Sequence, residues 1–124
     1  MKVLFLFLSL SITIMSFGQI GEVKQVGSSA KIYNEKGQDS GHSIYLGSNG
    51  SVEGYNSEFI VVKEGSYAKI YNDKGNNTGH SIYLGSNNSI KHVSQTAILV
   101  KEGSYVKYYD FNGRNTGKST YDPK

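Results

Sequence analysis

The chain of 124 residues has no cysteine, no tryptophan and a single proline. Without cysteine there is no disulfide framework and no lipid-modified cysteine, so the fold must be held by its core alone. Charge is sparse and nearly balanced, with 13 Lys and Arg against 10 Asp and Glu. The basic residues are scattered through the chain, whereas a nucleic-acid binder concentrates them on one face, so nucleic acid is not an expected partner. One long apolar run exists, Val3 to Met15, and it is shorter than the ~18–20 residues a spanning helix needs. Stable membrane insertion is therefore not expected.

That run has the layout of an export signal. Lys2 precedes it, and Ser16 and Gly18 supply small residues at −3 and −1 of a cleavage site before Gln19. The sequence thus predicts a signal peptide over 1–18 and one domain over 19–124, located outside the cell or in a periplasm. Without Lys2 the formal charge of +3 falls to +2.

What is abundant is glycine, with 15, and tyrosine, with 10. Their placement is repetitive. Ser28-Ser29-Ala30-Lys31-Ile32-Tyr33-Asn34 returns as Ser66-Tyr67-Ala68-Lys69-Ile70-Tyr71-Asn72 and as Ser104-Tyr105-Val106-Lys107-Tyr108-Tyr109-Asp110. Gly27, Gly65 and Gly103 fix the register at 38 residues, a period that means one supersecondary unit per repeat. Phe59-Ile60-Val61-Val62 and Ile98-Leu99-Val100 read as strands buried on both faces. A Gly-centred link follows at Gly65 and Gly103, then strict alternation, with Ala68 and Ile70 on one face and Tyr67, Lys69 and Tyr71 on the other. Turns at Gly37, Gly75 and Gly113 lead to third strands at 42–46 and 80–84, and weaker fourth strands follow near 51–56 and 89–94. The expected repeats are 20–57, 58–95 and a truncated 96–124. Glu22 and Lys24 stand where Ile60 and Val62 stand later, which marks the opening strand as a charge-blunted edge.

The expected fold is all-β, with three repeats of about four antiparallel strands. Three units close a pseudo-threefold β-prism or β-trefoil. The alternative is a partial β-propeller-like stack of blades, which would favour association of two chains because propellers typically need ~4–8 blades. The spacing of residues 59–71 is similar to the repeat of bulb-type mannose-binding lectins, which are three-repeat β-prisms. Their sugar motif, Gln-x-Asp-x-Asn-x-Val-x-Tyr, falls on Lys63, Gly65, Tyr67, Lys69 and Tyr71. Only Tyr71 matches, so the likeness implies hairpin spacing and not mannose binding.

The chemistry on offer is that of contact. His42 and His80 are equivalent, but Lys118 occupies the third position and repels a cation, so they read as strand-start surface residues and no metal or cofactor is expected. Glu64 and Glu102 lie in equivalent turns and form no evident catalytic pair. No Gly-x-Ser-x-Gly elbow is present, and no enzyme is expected. Two tyrosine columns repeat: Tyr33, Tyr71 and Tyr109 beside Lys31, Lys69 and Lys107, and Tyr45, Tyr83 and Tyr121. Tyrosine joins a flat apolar face to a hydroxyl, although Tyr–Lys cross-strand packing also stabilises sheets without any ligand. The functional expectation is an exported, non-catalytic binding module for a polysaccharide, a cell-surface component or a protein, through the Tyr/Lys faces. The alternative is an exported protein-directed inhibitor of the immunity type.

Overall fold

The computed structural model describes residues 19–123. The expected signal segment, 1–18, lies outside the described residues. Among those described the chain forms eleven antiparallel strands in three sheets and no helix. The first sheet contains β1 (Ile20–Val26), β2 (Ser29–Asn34) and β3 (Asp39–Tyr45). The middle sheet runs β4 (Ser51–Tyr55), β5 (Phe59–Glu64), β6 (Tyr67–Asn72) and β7 (Asn77–Tyr83). The last sheet runs β8 (Ser89–Val93), β9 (Ile98–Glu102), β10 (Tyr105–Tyr109) and β11 (Asn115–Tyr121). Each is a meander with neighbours in chain order.

Sheet boundaries and repeat boundaries do not coincide. The fourth strand of each expected repeat hairpins into the opening strand of the next: β4 pairs with β5, and β8 with β9. The cause is local. Asn56 Oδ1 accepts hydrogen bonds from the backbone N–H of Glu58 and Phe59 at 2.8 and 2.7 Å, closing a tight turn. Ser94 Oγ closes the matching turn by accepting from Thr96 and Ala97. The last sheet therefore has four strands although the last repeat is short. The first sheet has three, and among the described residues β1 pairs with β2 alone, the edge position its charges suggested.

The other turns repeat with high fidelity. Asn34, Asn72 and Asp110 each accept two backbone N–H bonds, from the residues two and four positions on. Gly37, Gly75 and Gly113 complete that turn at φ near +80°, a conformation that costs glycine least. Ser40, Thr78 and Thr116 then tie β3, β7 and β11 back to the carbonyls of Ile32, Ile70 and Tyr108.

The buried side chains form two clusters. One joins Ala30, Ile32, Ile44 and Leu46 of the first sheet region to Ile60 and Val62 of β5. The other joins Val61, Ala68, Ile70, Ile82 and Leu84 of the middle sheet region to Val93, Ile98 and Val100. Strand β5 thus serves both layers, and Ile60, Val61 and Val62 are all at 0% exposure, which explains its unbroken apolar run. Beyond the second layer the pattern turns polar. Tyr108, Thr120 and Asp122 stand where Ile70, Ile82 and Leu84 stood. Lys118 lies 4.5 Å from the Tyr108 ring centroid, and Asp122 pairs with Lys91 at 3.0 Å and Lys101 at 3.4 Å.

The two joints between sheets differ at one place. Between middle and last sheets, Phe59 stacks on Phe111 with centroids 4.8 Å apart and planes 9° from parallel. In the first sheet β1 bulges at Gly21, so Ile20 pairs with Asn34 as Phe59 pairs with Asn72. Asp73 is the counterpart of Phe111. A half-open cleft of about 480 Å³ occupies that position.

Candidate functional site

The two tyrosine columns end in different surroundings. On β6 the Tyr71 hydroxyl donates to Glu64 Oε2 at 3.0 Å, and Lys69 Nζ lies 3.1 Å from Glu64 Oε1. The last sheet repeats this, with Tyr109 on Glu102 at 2.8 Å and Lys107 on Glu102 at 3.1 Å. The hairpin register makes the arrangement. Glu64 pairs with Tyr67 at the top of the ladder, and its carboxylate reaches the next two residues on the same face. The rings of Tyr71 and Tyr109 pack against the two core layers. Burial, reinforced by the neighbouring carboxylate, pushes both phenols up from 10.0 to about 12.

The first sheet differs. Val26 stands where Glu64 and Glu102 stand, so Tyr33 has no carboxylate partner of this kind, and Lys24 Nζ sits 5.3 Å from its ring centroid. Lys31 is exposed. Of the six stripe residues, the fold therefore links Lys69 with Tyr71 and Lys107 with Tyr109, each pair through a glutamate. The sequence places those glutamates in turns, whereas they end β5 and β9; their spacing to Lys and Tyr, repeated in two copies, was the available signal.

The second column faces outward. Tyr45, Tyr83 and Tyr121 are 77%, 65% and 67% exposed. The ladder sets Tyr83 opposite Tyr67 and Tyr121 opposite Tyr105, and Ser29 opposite Tyr45. Both Tyr–Tyr pairs meet edge to face, at 5.2 and 5.5 Å between centroids, a favoured aromatic geometry. Tyr67 and Tyr105 are themselves about half exposed. Five exposed rings thus lie on equivalent positions of three sheets.

His42, His80 and Lys118 are exposed as expected, but they lie inside β3, β7 and β11 and not at their starts, because each strand begins three residues earlier, at Asp39, Asn77 and Asn115. Among the described residues no three His, Asp or Glu side chains gather as a metal site. Two carboxyls are held below the usual range: Asp110 chiefly by the backbone N–H of Arg114, and Asp122 chiefly by Lys91. Asp110 closes a turn, and Asp122 is held in its ion pairs with Lys91 and Lys101. Comparison with protein-family models, with curated proteins and with solved structures finds no match to this chain.

Proposed function

We propose that this chain is an exported, non-catalytic binding module that holds a polysaccharide against its exposed tyrosines. The observation that carries the reading is the solvent-facing column Tyr45, Tyr83 and Tyr121, two of whose rings are braced edge to face by Tyr67 and Tyr105. A braced ring offers a sugar an apolar face at small entropic cost, with a hydroxyl beside it. The contact surface thus centres on this column. The Tyr71 and Tyr109 hydroxyls are already taken by glutamates, and half-exposed ion pairs like Lys69–Glu64 add little by themselves. The module is read as an open, propeller-like stack of sheets, since its core divides into two successive layers and a threefold prism would gather one.

The test is retention on insoluble polysaccharides, such as cellulose, chitin, xylan and peptidoglycan, with Tyr83→Ala/Tyr121→Ala as the variant. Losing two stacking contacts, each worth about 0.5–1.5 kcal/mol, weakens binding by about fivefold to about 150-fold. Unchanged retention of the variant, or no retention of the parent on any matrix, overturns the reading. In the latter case, stoichiometric capture of one exported protein would favour the protein-directed inhibitor.

A further inference from the structure

We infer that the cleft between the first and middle sheets is a second, separate site that takes a single neutral sugar or a short saccharide end. The inference rests on the glycan reading above for its ligand class, but on different residues. The same joint, one repeat later, is plugged by the Phe59–Phe111 stack. At the first joint the bulge at Gly21 brings Ile20 opposite Asn34, and Asp73 replaces the second phenylalanine. A Cβ on Gly21 would meet the Asn34 carbonyl oxygen at a sub-contact distance, so the bulge leaves no room for a side chain there. What remains is about 480 Å³, within the ~300–1,000 Å³ range of small-ligand sites.

The lining fits a polyhydroxyl ring better than an ion. Ile20 and Ile32 provide an apolar floor, and Gln38, Asp39, Asp73 and Lys74 provide the polar wall. Asp39 uses one carboxylate oxygen on the Gly41 N–H, and Gln38 uses its amide oxygen on Asn34. Among the described residues the Asp73 carboxylate, the Lys74 ammonium, the second Asp39 oxygen and the Gln38 amide N–H have no protein hydrogen-bond partner. Acceptors and donors thus both line the cleft beside an apolar floor. A sugar hydroxyl both donates and accepts, so it can satisfy each kind in turn. A simple anion would face two carboxylates and a simple cation would face the lysine.

The experiment is titration of the mature chain with free glucose, galactose, mannose, N-acetylglucosamine and cellobiose, followed by amide chemical shifts. At least one sugar is expected to give saturable shifts at Gln38, Asp39 and Asp73. Asp73→Phe, which copies the plugged joint, should abolish them and keep the rest of the spectrum. Asp39→Asn, which leaves the cleft open, should weaken binding about tenfold through loss of a charge-assisted bond; it serves as the readout if the first variant does not fold. Tyr83→Ala/Tyr121→Ala should leave these shifts intact, which separates failure of this site from failure of the tyrosine surface. Absence of shifts with all five sugars, or affinity equal to the parent's in both cleft variants, overturns the inference.

Discussion

The joint between middle and last sheets and the joint between first and middle sheets use the same scaffold for different ends. Both bury a row of Ile, Val, Leu and Ala from one sheet against β5 or β9 and their neighbours. The later joint is sealed by two stacked phenylalanines, and the earlier one is left with a cleft walled by charged and amide side chains. Duplicated units can therefore share turns and most of their strand pairing while the bulge at Gly21 and the change from Phe111 to Asp73 decide whether a seam is core or surface. The contrast also shows where stability is concentrated. A sealed seam loses more when trimmed, because nothing can relax into the gap.

The largest effect tests that contrast directly. Ile70→Ala, in the sealed joint at 0% exposure, should cost about 4 kcal/mol, and Ile32→Ala, bordering the cleft, about 2–3 kcal/mol, by urea denaturation. Equal or reversed costs would remove the distinction between the joints. Next come the turn glycines. A Cβ on Gly113 would fall 2.5 Å from the Ser81 carbonyl oxygen, and one on Gly75 at 2.6 Å from that of Ser43, while Gly37 has open space. Gly113→Ala should therefore cost about 3 kcal/mol, from left-handed strain plus the clash, and Gly37→Ala about 1 kcal/mol from strain alone. Thermal melts of the two variants decide it. Phe111→Asp, which converts the sealed seam to the open pattern, should cost about 2 kcal/mol, since the ring is partly buried and one stacking contact is lost.

The smallest effect is an alkaline one. Tyr71 and Tyr109 have phenols raised from 10.0 to about 12. The folded chain holds these protons more tightly than the unfolded chain, so their contribution is fully present below about pH 10 and is lost as pH rises toward 12. Tyr71→Phe/Tyr109→Phe should flatten the stability–pH curve over that window.

Much of the strand plan was legible in the sequence. Gly65 and Gly103 marked their hairpins, the alternation in Ala68-Lys69-Ile70-Tyr71 assigned faces, and the charges in β1 marked an edge. The phase of the sheets was not legible. Asn56 and Ser94 close hairpins without glycine, through side-chain acceptors, and nothing in composition separates such a turn from the glycine-bearing crossing at residues 46–50. At the candidate site, the repeated tyrosines were evident, but which column faces solvent depends on how the sheets pack: Tyr71 and Tyr109 lie against the core clusters, while Tyr45, Tyr83 and Tyr121 stay exposed. The cleft was hidden because it arises from residues a copy lacks, and a missing phenylalanine draws notice only once its partner is seen stacked.

The offset between repeat and sheet has a consequence for how such a molecule can be lengthened or cut. Each complete sheet takes its leading strand from the copy before it, so neighbouring copies overlap like roof tiles. A cut at the sequence boundary after Ser57 severs one tile, whereas a cut in the crossings at 46–50 or 84–88 falls in the grout between them.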